Sequence, residues 1–194
     1  MHTLIVVSHP DRQSLTHHVA RQLAEGIEST GGSIEIADLA AEGFDPRFTA
    51  DDVAAFRQQG LATKEIVAEH ARIDRADTLV LVYPIYWWSM PAQLKGWIDR
   101  VFTQGWAYDA DDDGRLVKKL QRLKVHLVAI GAGDMRTYAR HGYFAAMRTQ
   151  IDHGIFDFCG AEVLTSELLL QMPGEALSAE LQNVSELGRK MGQV

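Results

Sequence analysis

Hydrophobic and polar positions along this chain fall into two alternating patterns. Short apolar runs occupy residues 4–7 (LIVV), 78–83 (TLVLVY), 125–130 (VHLVAI) and 162–170 (EVLTSELLL). They are rich in Leu and β-branched residues, and each predicts a strand, the last alternating weakly before its three leucines. Residues 33–36 (SIEI) alternate more strictly, the pattern of an edge strand. Between these runs the apolar period lengthens to that of helices, over 14–28, 64–75, 91–102 and 143–156, and again over 178–191. Strands alternating with helices predict an α/β protein with a parallel sheet covered by helices on both faces. Five strands fit a doubly wound five-stranded parallel sheet of order 2-1-3-4-5. No repeat, low-complexity tract or linker interrupts the pattern, so the expectation is one domain over 1–194. Segments 39–49 and 103–119 are long for loops.

Composition narrows the function classes. With 194 residues, 46% apolar and 23% charged, the chain reads as a soluble globular protein with a substantial core. Its 26 acidic and 19 basic residues give a formal net charge of -7, which disfavours steering towards nucleic acid or an anionic membrane. One cysteine, Cys159, forms no intramolecular disulfide, and it is expected as a small buried hydrophobe. The opening MHTLIVV lacks the basic start and the length of a signal peptide. No apolar run approaches the roughly 20 residues of a membrane span, and the expected location is cytoplasmic. Segment 103–119 gathers Asp109, Asp111, Asp112, Asp113 and Gly114. Without a Glu at the EF-hand ligand position, this reads as an exposed turn and not as a calcium loop. The eight histidines form no HExxH motif and accompany no paired CxxC, so no metal site is expected.

In a sheet of this order ligands gather at the carboxyl ends of the strands, at the switch point. Three loops follow from that rule. The first, SHPDRQSLT, leads into a helix that Ser14 caps, with Thr16 in the first turn and His9 before it. Free amides and the helix dipole favour an anion there, though an ordinary capped helix explains the same residues. Neither GxGxxG nor a Walker motif is present. The second loop, YPIYWWSMP, places four aromatics in six residues where loops are usually polar. They suit either core and subunit-interface filling or a flat wall for a planar ligand such as an isoalloxazine ring. The third loop carries Gly131, Ala132 and Gly133, with Tyr138 and His141 beyond. Its glycines allow close backbone approach to a ligand, while Tyr and His can stabilise developing negative charge. A plain Gly-rich loop with a surface Tyr and His is the alternative.

Together, SHPDRQSLT, YPIYWWSMPAQLKGWIDRVFTQGWAY, the GAG…Tyr138…His141-Gly142 stretch and HGIFDFCGAEVL resemble the NAD(P)H:quinone oxidoreductase family, the DT-diaphorase-like branch of flavodoxin-fold flavoproteins. The likeness runs from about residue 4 to 170. It extends to the ancillary quinone reductases of bacterial potassium-efflux systems. The resemblance implies that His9, Ser14, Leu15 and Thr16 bind the phosphate end of a flavin, and that Pro84, Ile85, Tyr86, Trp87 and Trp88 hold its ring. It implies that Gly131, Ala132, Gly133 and Tyr138 lie at the ring edge, with Tyr138 and His141 as active-site residues, although their spacing is shorter than in mammalian members. His9 points to FAD, and FMN stays open because the chain is shorter at its C-terminus than those enzymes. The implied reaction is two-electron hydride transfer from NAD(P)H through flavin to a quinone, by a ping-pong mechanism in a homodimer. Alternatives are a regulatory flavoprotein subunit associated peripherally with a potassium-efflux transporter, a nitro- or azo-reductase, and a one-electron flavodoxin shuttle.

Overall fold

Residues 1–171 and 177–193 are described in the computed structural model, with side chains at 1–170 and 183–193. In chain order the elements are β1 (His2–Val7), α1 (Leu15–Glu28), β2 (Ser33–Asp38), α2 (Ala50–Phe56), α3 (Lys64–Arg75), β3 (Thr78–Pro84) and α4 (Ala92–Val101). They continue with β4 (Tyr108–Ala110), β5 (Leu116–Lys118), β6 (Lys124–Ala132), α5 (Met135–His141), α6 (Tyr143–Arg148), a π-helical segment (Thr149–Asp157), β7 (Glu162–Gln171) and α7 (Leu177–Met191). The main sheet has the order β2-β1-β3-β6-β7, and every pairing in it is parallel. With the small β4-β5 hairpin set aside, this is the expected 2-1-3-4-5 sheet, and β2 is an edge strand.

The period-2 side-chain alternation of the strands builds two cores. Leu4, Val6, Leu79, Leu81, Tyr83 and Leu127 face one side with Leu94 and Trp97 of α4. Ile5, Val7, Val80, Val82 and Val128 face the other, against α1 and Val184 and Met191 of α7. Each fully buried aliphatic side chain contributes about 1.5–3 kcal/mol, which makes the central strands the rigid frame of the molecule. No residue of β3 is exposed.

α4 itself carries a buried cation. Arg100 is 4% exposed, and its guanidinium donates to Asp52 at 3.0 Å, Glu65 at 3.0 Å and the Asp45 carbonyl at 2.7 Å. This pins the segment before α2 to the body.

Three departures from the sequence pattern have local causes. Segment 39–49 leads into α2, which begins at a capping box between Thr49 and Asp52. Segment 103–119 folds back as the β4-β5 hairpin, because the Asp111 side chain accepts from the Asp113 and Arg115 amides and Gly114 takes a φ of 77°. The expected helix 143–156 divides into α6 and the π-helical segment, whose wider turn keeps Ile151, Asp152 and Phe156 buried. Cys159 is buried as expected. Among the described residues no helix is long and apolar enough to cross a membrane.

Candidate active site

β1, β3 and β6 are neighbours in the sheet, and their carboxyl ends lie level: Val7 pairs with Val82 and Pro84 with Ile130. The three loops singled out by the sequence therefore emerge side by side.

After β1, His9 Nδ1 lies 3.0 Å from the Asp11 amide and 3.2 Å from the Asp11 carbonyl, and Nε2 makes no hydrogen bond to a described residue. Ser14 caps α1 by accepting the His17 amide. The first-turn amides have no intrahelical acceptor, and the helix dipole adds partial positive charge. Thr16 is 2% exposed and makes no side-chain hydrogen bond to a described residue. Leu15 packs into the core shared with α7. The sequence reading overlooked His17 and Asp38. His17 Nε2 lies 3.0 Å from Asp38 Oδ2 and its Nδ1 3.1 Å from Ser14 Oγ. The signal was a His one turn beyond the cap, with Asp38 closing the strand beside β1.

After β3, buried Pro84 ends the strand and the Ile85 amide bonds the Ile130 carbonyl at 2.8 Å. Tyr86 and Ser89 exchange two backbone hydrogen bonds of 3.1 Å. Trp87 and Trp88 fill the two places between them at φ 50° and 62°. Tight hairpin turns of this kind normally use Asn and Gly there. Trp87 is 92% exposed. Trp88 stacks on Tyr143 at 3.8 Å and meets the Tyr138 ring edge-on at 5.6 Å. Pro91 caps α4 from extended backbone.

After β6, Gly131 is required by crowding. A Cβ there would lie 2.5 Å from the Tyr138 hydroxyl, 3.0 Å from Leu170 and 3.2 Å from Ile85. Gly133 has a φ of 93° with open space around it. Asp134 then caps α5, an element too short for the sequence pattern to reveal. Tyr138 is 1% exposed, and burial raises its hydroxyl above the ordinary phenol range, so it keeps its proton. Ile85, Trp87, Trp88, Ala132 and Tyr138 line a cavity of about 170 Å³. His141 is not in that lining. It is exposed on the last turn of α5 and stacks on Tyr143 at 5.2 Å. The stack His141–Tyr143–Trp88 links it to the cavity, and Tyr143 is a further residue that the sequence reading passed over.

A family described as having a flavodoxin-like fold matches residues 1–189. The chain belongs to the flavodoxin-like family. Within it, the chain is 30% identical to the rat ribosyldihydronicotinamide dehydrogenase [quinone], over 92% of this chain and 84% of the rat protein. It is 28% identical to the rat NAD(P)H dehydrogenase [quinone] 1, over 92% of this chain and 72% of that one. The solved structure of an NAD(P)H:quinone oxidoreductase from Methanothermobacter marburgensis superposes with a TM-score of 0.90 at 27% identity, covering 98% of both chains. For this flavodoxin-like chain, the residues present fit a ligand with a flat ring and an anionic tail. Stacked aromatics and side-chain-free backbone meet at one end, and capped-helix amides with two hydroxyls at the other.

Proposed function

We propose that this protein is a flavin-dependent NAD(P)H:quinone oxidoreductase. The observation that carries the reading is the aromatic turn of Trp87 and Trp88, joined to Ala132 and Tyr138 around one cavity at the switch point. The names of its relatives support quinone as the acceptor. When bound, flavin supplies the centre that accepts hydride from NAD(P)H and passes it to the quinone. His9, Ser14, Leu15 and Thr16 hold the phosphate end. Pro84, Ile85, Tyr86, Trp87 and Trp88 form the wall behind the ring, while the backbone of Gly131, Ala132 and Gly133 forms the rim at its edge. A ring stacked on this aromatic wall would displace water from it, and hydrogen bonds made at the covered face would strengthen. Tyr138, protonated at neutral pH, donates towards negative charge that develops at the ring edge, and His141 adds a second donor from the end of α5. The flavin is FAD on the strength of His9; the cofactor released from purified protein distinguishes it from FMN.

One planar slot serves both substrates in turn, giving parallel lines in initial-rate plots. The protein acts as a homodimer in the cytoplasm. Phe48, Phe56 and Phe158, exposed by 49%, 56% and 43%, line a cavity of about 340 Å³ with Ile98, Ile155 and Asp99, and in this reading a second copy covers that exposed apolar surface. Phe56→Glu then shifts the protein to monomer in sedimentation. The direct test of the site is Tyr138→Phe. Stopped-flow reduction by NAD(P)H slows by about tenfold or more, with flavin content unchanged. An unaltered rate removes Tyr138 from the mechanism, and a protein that takes up no flavin overturns the reading.

A further inference from the structure

We infer that His17 is a proton-linked positioning residue that decides whether the Ser14 hydroxyl can donate to a phosphate at the start of α1. The inference rests on the reading above that a flavin phosphate sits there. His17 is 7% exposed, held between Asp38 Oδ2 at 3.0 Å and Ser14 Oγ at 3.1 Å. Burial raises the Asp38 pKa, but hydrogen bonds from the Ala41 amide and His17 outweigh it and hold the carboxyl below its usual range. Asp38 is therefore a carboxylate, and the proton between it and His17 belongs to Nε2.

A neutral imidazole has only that one proton. Its Nδ1 is bare, so the Ser14 hydroxyl must donate to it. Ser14 has a single hydroxyl proton, and in this state that proton is turned inwards, away from the loop after β1. Oγ also accepts the His17 amide at 3.4 Å. The oxygen thus has nothing to offer an anion. A second proton on His17 reverses the bond. Nδ1–H now donates to Ser14 Oγ, and the hydroxyl is released to donate outwards. Binding of a phosphate-bearing ligand therefore takes up a proton at His17. Thr16, two residues along, supplies a hydroxyl that does not depend on this switch.

The charged and titratable groups facing His17 among the described residues are few. Asp38, at the end of β2, favours its protonation. Arg12, whose Nε lies 3.5 Å from Asp38 Oδ2, opposes it in the free protein. The ring of His9 stands edge-on, 6.3 Å away. The incoming phosphate is the added charge that tips the balance towards imidazolium.

The experiment is a fluorescence titration of flavin-free protein with FAD, FMN and riboflavin between about pH 6 and pH 8, a range that spans the ordinary histidine value. The wild type is compared with His17→Gln, which retains a donor towards Asp38 but does not titrate. The ratio of variant to wild-type Kd cancels the ionisation of the ligands themselves. For FAD and FMN that ratio rises about tenfold from pH 8 to pH 6, the scale of a one-proton linkage, and for riboflavin it stays flat. Equal pH slopes in wild type and variant overturn the role of His17. Equal affinity for riboflavin and the phosphorylated flavins shows that no phosphate is held at α1, and the inference falls. Failure of all three flavins to bind refutes the flavoprotein reading itself. If His17→Gln does not fold, the imidazole nitrogen resonances of wild-type His17 decide. Nδ1 gains a proton when the free protein is saturated with FAD; an Nδ1 whose protonation does not change on saturation contradicts the proposal.

Discussion

Replacing Trp87 with glycine should stabilise the protein, although it deletes the largest side chain there is. Trp87 is 92% exposed, so its removal forfeits almost no buried area. Its φ of 50° lies in the left-handed region, which costs a residue with a Cβ about 1–2 kcal/mol and glycine almost nothing. Glycine loses about 0.5–1 kcal/mol through the greater freedom of its unfolded chain. The balance is a gain of about 0.5–1 kcal/mol, or a rise of about 1–4 °C in Tm for a chain of this size. Trp88→Gly relieves a similar strain, at φ 62°. It also removes a ring that is only 38% exposed and stacks on Tyr143. The lost burial and aromatic pairing, about 2–3 kcal/mol together, exceed the relief, and this variant is destabilised. Two adjacent tryptophans in one turn should therefore shift stability in opposite directions. Urea unfolding of flavin-free protein followed by far-ultraviolet circular dichroism measures both. Destabilisation by Trp87→Gly of more than about 0.5 kcal/mol would refute the strain argument. Because the strained residue lines the cavity, Trp87→Gly should at the same time weaken flavin binding.

Other perturbations have equally defined outcomes. Gly131→Ala drives a methyl group against the Tyr138 hydroxyl. It should cost about 1–3 kcal/mol, and a double-mutant cycle with Tyr138→Phe should recover part of that loss in equilibrium unfolding. His126 is 2% exposed, with Nδ1 bonded to Thr165 and Nε2 without a partner among the described residues, and burial lowers its pKa to about 4. Its contribution is present above the unfolded value of about 6.5 and is lost as pH falls from there towards 4, reaching about 3 kcal/mol. In His126→Phe the pH dependence of stability over that window should flatten. Arg100→Met leaves Asp52 buried without its cation, and a loss of about 3–5 kcal/mol is expected in thermal or urea unfolding.

The sheet was legible in the chain because its central strands β1, β3 and β6 are buried on both faces and the strands are separated by helices of ordinary length. That pattern depends on burial alone, and it located the three loops as well. What it concealed was short or irregular. α2 and α5 each span seven residues, less than two helical turns, and they exist because Thr49 and Asp134 cap them. The π-helical segment carries the same apolar residues as an α-helix and differs only in how widely its turns are wound. Around the candidate site, the loops that carry Ser14, Trp88, Gly131 and Tyr138 were recognisable from their place after strands, and the sheet brings those loops side by side. His17 was not, since its role depends on Asp38, 21 residues away. Tyr143 was missed for the same kind of reason: its partner Trp88 lies on a different loop. Contacts between distant segments leave no local signature in hydrophobic periodicity.

An anaerobic titration of the flavin-loaded protein with NADPH, followed by absorbance and then by addition of a quinone, tests whether this site transfers hydride. One equivalent of NADPH should bleach the flavin band in a single two-electron step, and one equivalent of quinone should restore it. A flavin that binds but is not reduced by NADPH or NADH, or that accumulates at the one-electron level, would contradict the assignment of this site as a hydride-transferring quinone reductase.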